Sequence, residues 1–345
     1  MIIAVDAMGG DRAPHVTVEG ACLAAEELEL TIALVGDKNI IEPLLEEHKY
    51  KKKKGSVAIV HAPEVISMSE SPSVALRKKK NSSINLALEM VKKGEADAAI
   101  SAGNSGAMMA FSMFVMKRLP GVERPAIATV MPNIIGATVL LDAGANVDCK
   151  PTNLVQFGIM GAAYASTILG IKLPRVGLLS NGEEEEKGTD LTREAHDLLK
   201  KTPLNYIGYI EGRDIFKGTV DVVVCDGFTG NIVLKVAEGV AYAITNILKT
   251  EVNQSIFSKL GFAIAMPALK ALKKKIDYEE YGGAPLLGVD GISIICHGSS
   301  SSYAIKNAIK YAKECVEKKL NTILKMEMEK YSKGYNEEVP RGVEQ

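Results

Sequence analysis

The strongest constraint on this chain is an alternation. Short apolar runs rich in Val, Ile and Ala recur at residues 2–6, 31–36, 57–61, 96–101, 126–131, 137–142, 175–180, 206–210, 221–225 and 291–296. Between them lie longer stretches with helical spacing, at 14–28, 83–93, 107–116, 152–169, 189–199, 231–248 and 302–319. Strands separated by helices predict βαβ units around a mostly parallel sheet, an α/β fold. The gap 132–136 is too short for a crossover, so runs 126–131 and 137–142 are expected to pair as an antiparallel hairpin. Hydrophobic residues make up 47% of the 345 positions, with no Trp, which suits close-packed parallel strands. Residues 1–335 are expected to form one α/β domain with an inserted helical tip near 251–278, and 336–345 a frayed tail. Lys49 to Lys54 reads as a solvated basic cluster.

Composition also excludes classes. A net charge of −1 gives no support to a general nucleic-acid binder. The five cysteines form no C-x-x-C pair, so reduced thiols are expected, and neither a disulfide framework nor a metal site. An acid follows the first apolar run at once, so that run reads as a strand and not as a signal peptide. The uncharged stretch 151–171 is long enough to span a bilayer, but its Asn153, Gln156, Ser166 and small residues favour a buried or subunit-interface helix.

The loops after the strands carry the functional signal. Asp6 is followed by Ala-Met-Gly9-Gly10-Asp, Ser101 by Ala-Gly-Asn104-Ser105-Gly106, and Asp142 by Ala-Gly-Ala-Asn146. Ser180 is followed by Asn-Gly and an acidic run ending in Lys187-Gly, Asp226 by Gly-Phe-Thr-Gly-Asn231, and Cys296 by His297-Gly-Ser-Ser. In a parallel sheet such loops share the carboxyl edge, where ligands bind. Glycines allow close backbone approach, and amides at a following helix start favour an anion. Neither a P-loop nor a Rossmann fingerprint is present.

Arg77, Lys79 and Ser82 belong to a basic turn before a helix, which is either a phosphate contact or a solvated turn with a capping serine. Lys187 sits beside four glutamates, and His297 is either an acid–base or oxyanion group or a structural histidine. Segment 255–275 joins apolar Leu260, Phe262, Ile264 and Met266 to Lys270 and three further lysines. Pro267 is expected to break it into a hairpin tip that lies in a membrane interface or against a partner; a core or dimer helix is the alternative.

These residues together resemble the acyl-ACP:phosphate acyltransferases of bacterial phospholipid synthesis. The resemblance rests on the loops above, on Arg124-Pro-Ala-Ile127, on Asp221 to Asn231 and on Tyr281-Gly-Gly-Ala-Pro-Leu-Leu-Gly288. It implies a three-layer α/β fold similar to phosphotransacetylases and isopropylmalate-type dehydrogenases, a homodimer and no cofactor. It implies acyl carrier protein and inorganic phosphate as substrates, and a cytoplasmic enzyme peripherally bound to the inner face of the membrane. The product would pass to a membrane glycerol-3-phosphate acyltransferase. On the chemistry, Lys187, Asn104 and Ser105 are assigned to phosphate or oxyanion contacts, with Asp226 and Asn231 orienting them and His297 as a further candidate. Asp6, Gly9, Gly10, Ser82, Ser101, Gly106 and Asn146 complete the expected binding loops, and Arg77 and Lys79 hold phosphate or the carrier's phosphopantetheine. A short-chain phosphotransacetylase using coenzyme A and a non-catalytic membrane scaffold are the rival readings.

Overall fold

The computed structural model describes residues 1–48, 54–276 and 278–338. Five of the six residues of the basic cluster, 49–53, and residues 339–345 of the expected tail therefore lie outside the described chain.

The described strands form two sheets. The first has the order β3 (Ser56–His61), β2 (Thr31–Gly36), β1 (Ile2–Asp6), β4 (Ala98–Ser101), β12 (Ile292–Ile295), β11 (Ala284–Leu287) and β5 (Ala126–Ile127). The second runs β6 (Thr129–Pro132), β7 (Ala137–Leu141), β10 (Val222–Val224), β8 (Val176–Leu179) and β9 (Tyr206–Ile210). Pairing is parallel except where β11 meets β12 and β5, and where β6 meets β7. The expected hairpin is present, with Val130 opposite Val139. Its first strand is not continuous, however. At Ala128 the chain leaves one sheet, where Ile127 pairs with Leu286, and enters the other, where Thr129 pairs with Leu140.

Alternation along each strand explains the layers, because successive side chains point to opposite faces. Ile3 and Val5 join the core under α1 (His15–Glu27), α11 (Ser302–Glu317) and α12 (Leu320–Glu338). Ala4 between them joins the core under α4 (Ser83–Lys93) and α5 (Ser105–Val115). In the second sheet Leu141 and Val222 face α6 (Pro151–Ile168) and α7 (Asp190–Leu199). Leu140 and Val223 face the opposite side with α8 (Asp214–Lys217) and the start of α9 (Gly227–Asn253). Two helices, α2 (Lys38–Glu47) and α3 (Pro72–Lys78), complete the first half, and α10 (Ile256–Ile276) follows α9.

Helix α6 is buried along almost its whole length, which agrees with the buried reading of its uncharged sequence. Helix α9 differs: it is also apolar and long enough to cross a membrane, yet none of its apolar window is buried. Pro267 does not break α10 as the sequence suggested; it lies inside one continuous helix that packs against α9. The turn of the helical hairpin falls instead at Gln254 and Ser255. Strand β11 was not foreseen, since its Pro285 and the preceding Gly282-Gly283 resemble a loop.

The joint between the sheets is fastened by one carboxylate. Asp142, fully buried at the end of β7, accepts from Ile127 N at 3.0 Å, Gly144 N at 3.1 Å and Ala145 N at 2.9 Å. It also accepts from Asn146 N at 2.7 Å and Asn146 Nδ2 at 2.8 Å. Burial raises its pKa and these N–H donors oppose the rise. Every partner is a donor, which fits the acceptor-only carboxylate. Asp142→Asn would turn an amide donor towards these donors. Urea unfolding should then show a loss of about 2 kcal/mol or more, the cost of orphaning buried N–H groups. An unchanged midpoint would show that the joint does not depend on the charge.

Candidate active site

The expected loops do not share one sheet edge. They divide into three on each sheet. At the first sheet the loops follow the neighbouring strands β1, β4 and β12; at the second they follow β7, β10 and β8. The β5–β6 joint and Asp142 bring the loop after β7 against the first half, and Ala145 packs on the core that holds Ala107, Met108 and Phe111 of α5.

In the first set, buried Asp6 accepts from Ser101 Oγ at 2.6 Å and Met8 N at 3.1 Å. Burial is the main influence on its pKa and raises it; Ser101, Ser83 and the amides of Met8 and Gly9 pull the other way. Ser101 Oγ also accepts from Gly103 N at 3.0 Å. Gly9 is required by close approach: a Cβ there would lie 2.7 Å from Gly103 N. Gly10 has φ +118 and packs beside Ala102 and the carbonyl of Gly298. Asp11 N donates to that carbonyl at 2.8 Å, and Arg12 Nη2 reaches the carbonyls of Ser299 at 3.0 Å and Ser300 at 3.1 Å. The loops after β1, β4 and β12 are thus one unit.

This unit ends in the start of α5. Asn104 caps it, with Oδ1 accepting from Ala107 N at 2.9 Å. Ser105 and Gly106 follow as the first helical residues, and their N–H groups have no hydrogen-bond partner among the described residues. Such a start carries partial positive charge and favours an anion. Exposed Ser105 adds a hydroxyl. The hydroxyl of Ser300 is buried nearby in the chain's loop after β12 without a partner among the described residues.

Three assignments change. The Asn104 side chain offers no free N–H to a phosphate, because Nδ2 donates to the carbonyls of Ser67, Met68 and Glu70 at 3.3, 3.0 and 2.8 Å. Lys79 is committed to Glu70 Oε2 at 2.7 Å and Val65 O at 2.6 Å. Ser82 is buried and donates to Lys79 O at 2.8 Å. These groups build the site's wall. Arg77 is exposed and donates to Ser73 O within its own helix.

In the second set Asn146 is spent on structure, its Nδ2 reaching Pro125 O at 2.7 Å as well as Asp142. Gly227 N donates to Asn146 O at 2.7 Å, and a Cβ on Gly230 would fall 1.9 Å from Asp142 O. The first turn of α9 therefore lies directly on the loop after β7. Asp226 caps that helix, accepting from Thr229 N at 2.8 Å and Thr229 Oγ1 at 2.7 Å. Asn231 is exposed in the same turn, beside Gly144. Lys187 is half-buried, its stem lying across Gly182, and its ammonium makes no ion pair among the described residues. Of the acidic run beside it, Glu185 is held by Lys200 at 2.6 Å. His297 is exposed, with Nδ1 2.7 Å from Ser299 Oγ.

Sequence reasoning missed Asp142, Arg12, Glu70 and Ser300 as organising groups. Asp142 was visible as a carboxylate closing an apolar run and Ser300 as part of the Gly-Ser-Ser loop after Cys296; Arg12 and Glu70 lay in stretches with no distinguishing spacing. Among the described residues no group of three His, Cys, Asp or Glu side chains is placed to hold a metal ion.

The two-sheet body belongs to the phosphotransacetylase-like fold class. It matches a phosphotransacetylase from Streptococcus pyogenes with a TM-score of 0.63 at 19% identity, covering 92% of this chain and 94% of that one. A 4-hydroxythreonine-4-phosphate dehydrogenase from Klebsiella pneumoniae matches with a TM-score of 0.55 at 12% identity over 92% and 99% of the two chains. At these identities the likeness is one of fold. Residues 1–323 match the family model described as fatty acid synthesis protein. The chain is 58% identical over 321 residues to the phosphate acyltransferase of Syntrophotalea carbinolica, covering 93% of this chain and 92% of that one. It is 59% identical over 320 residues to that of Pelotomaculum thermopropionicum, covering 93% of each. The chain belongs to the phosphate acyltransferase family.

Lys187→Ala should lower turnover about tenfold or more, the scale of one interaction gained mainly in the transition state. Asp226→Ala should do the same and also cost about 1 kcal/mol of stability through the lost cap. Asp226→Asn keeps the cap, so full activity in that variant would assign Asp226 to capping alone. Near-normal turnover in Lys187→Ala with an unchanged melting curve would remove Lys187 from the site.

Proposed function

We propose that the protein transfers a fatty acyl group from acyl carrier protein to inorganic phosphate, releasing acyl phosphate for phospholipid synthesis. One observation carries this: in a chain of the phosphate acyltransferase family, unpartnered amides at the start of α5 and an uncompensated Lys187 both stand on strand-end loops. Amides and an ammonium suit a phosphate and a developing oxyanion.

The chemistry needs little else. A phosphate oxygen attacks the thioester carbonyl carbon, the new C–O bond forms, and the C–S bond breaks with its electron pair leaving on sulfur. The thiolate then takes a proton from solvent. A thiol of ordinary pKa about 8.5 is a fair leaving group, so positioning and oxyanion stabilisation are the main tasks. The α5 amides and the Ser105 hydroxyl hold phosphate, Lys187 offsets the growing charge, and Asp226 and Asn231 orient the second set of loops. His297 faces solvent at the rim, suited to a carrier-borne thioester.

A long-chain donor is favoured by the helical hairpin. Ile256 is 83% exposed, Phe257 86% and Ile264 76%, with Leu260 exposed, Phe262 and Met266 partly so and Lys270 on the same helix. The side chains of 271–274 lie outside those described. We assign this face to the cytoplasmic surface of the membrane, close to a glycerol-3-phosphate acyltransferase that would consume the product. The exposed residues Phe228, Ile232, Val236, Val240 and Ile244 on α9 are assigned to a second copy in a homodimer.

Purified protein given long-chain acyl carrier protein should release thiol only when phosphate is added, and hydroxylamine should trap the acyl phosphate. Activity with acetyl-coenzyme A alone would favour the short-chain reading, and no phosphate-dependent release with either donor would overturn acyl transfer. Leu260→Glu with Phe262→Glu should abolish sedimentation with anionic liposomes while activity on soluble donor persists. Each buried apolar side chain contributes about 1.5–3 kcal/mol, and each lysine near the surface adds about 1 kcal/mol. Wild-type pelleting by the double variant would refute the membrane assignment.

A further inference from the structure

The segment 65–71 crosses the outer side of the first set of loops, and its conformation is held by ions and carbonyl contacts and not by regular structure. It is tethered before its start by Glu64, whose carbonyl accepts from Ser83 N at 3.1 Å and whose Oε2 accepts from Asn81 N at 2.7 Å. It ends in Pro72, the first residue of α3, whose Cγ would lie 3.0 Å from a Cβ on Gly106. In between, Met68 Cε would lie 2.8 Å from a Cβ on Gly298. The segment therefore touches the start of α5, where the Ser105 and Gly106 amides stand unpartnered among the described residues, and the loop after β12, which holds the unpartnered Ser300 hydroxyl.

Its own amides and carbonyls are gathered by three side chains. Asn104 takes the carbonyls of Ser67, Met68 and Glu70 while capping α5. Glu70 Oε2 accepts from Ser67 N at 3.3 Å and from Lys79 Nζ at 2.7 Å. Lys79 Nζ closes the ring on Val65 O at 2.6 Å. The ion pair is only partly solvated, at 30% exposure for Lys79 and 18% for Glu70. The Lys79 ammonium lowers the pKa of Glu70 through the hydrogen bond between them. Release of this ring frees Asn104 to turn, and with it the cap that aims the Ser105 and Gly106 amides.

We propose that Glu70 and Lys79 are positioning residues: they clasp segment 65–71 against Asn104, and so set the affinity of the α5 amides for phosphate without touching the reacting atoms. The inference rests on the proposed reading of the α5 start as the phosphate cradle. A clasp of this kind acts on binding of the small anion more than on the bond-making step.

The test compares wild type with Glu70→Gln, Lys79→Met and Lys79→Arg in the phosphate-dependent thiol-release assay, and in thermal melts with and without inorganic phosphate. Glu70→Gln and Lys79→Met should raise KM for phosphate about tenfold while kcat at saturating phosphate falls less than about threefold. KM for the acyl donor should stay near wild type, and the phosphate-induced rise in Tm should shrink in both. Lys79→Arg, which keeps the charge and the reach, should restore most of the phosphate KM. Equal loss in kcat and in both KM values would show a merely structural role and overturn the inference. So would a wild-type phosphate KM in both charge-removing variants. A wild type that releases no thiol with phosphate defeats the functional reading instead; the melts then still decide the clasp, since loss of a phosphate-induced shift in Lys79→Met supports it and an undiminished or absent wild-type shift overturns it.

Discussion

The carboxylate of Asp142 is the interaction on which the rest of this architecture depends. A buried charge is costly unless its lone pairs are met, and here N–H groups from Ile127, Gly144, Ala145 and Asn146 meet them. Ile127 is the last residue of the first sheet's edge strand, and the others form the loop leaving β7 of the second sheet. One side chain therefore decides that the two sheets meet at their carboxyl ends. Asn146 extends the same network to Pro125 and, through its carbonyl, to Gly227 at the start of α9.

From that joint the division of labour follows. Polar side chains in the loops are largely consumed in holding the loops: Asp6 with Ser101, Asn104 with the 67–70 carbonyls, Asn146 with Asp142, Asp226 with Thr229. What remains for a ligand is mostly main chain, the amides at the start of α5, with the Ser105 hydroxyl on the same turn and the Ser300 hydroxyl in the adjoining loop after β12; Lys187 stands on the loop after β8 of the other sheet. A site made of fixed backbone dipoles needs no reorganisation when charge develops, which suits an oxyanion and a tetrahedral phosphate equally.

Much of this was legible in the sequence because strand periodicity and loop chemistry are local properties. The runs 2–6, 31–36 and 206–210 emerge with the same bounds, and Asp226 as a cap moves the start of α9 only a few residues ahead of the expected 231. What escaped is what depends on distant partners. The division of the loops between two sheets turns on a change of pairing at Ala128, which no local pattern marks. Lys79 reads as a phosphate ligand until Glu70, nine residues earlier, is found beside it, and Asn104 until the 67–70 carbonyls arrive. Pro267 removes one N–H in a helix that α9 supports along its side, so the break expected from an isolated helix is not made.

Helices α6 and α9 sharpen the point, since both come from largely apolar stretches, though of the two only α9 is apolar enough as well as long enough to cross a membrane. In α6 the apolar and small residues run around the whole circumference: Leu154, Val155, Phe157, Ile159 and Met160 are all buried. A helix of that kind needs neighbours on every side, and α7, α12 and the second sheet supply them. In α9 Phe228, Ile232, Val236, Val240 and Ile244 are exposed, as are Tyr242, Ile247 and Leu248, while Lys235, Glu238, Lys249 and Glu251 occupy the same helix. At about 100° per residue the first five sweep about 160° of the circumference and Glu251 falls within that sweep, so the exposed apolar surface is broad and not a single stripe. The two helices thus differ in what covers them: α6 is enclosed by α7, α12 and the second sheet, while α9 and the start of α10 leave large apolar side chains exposed.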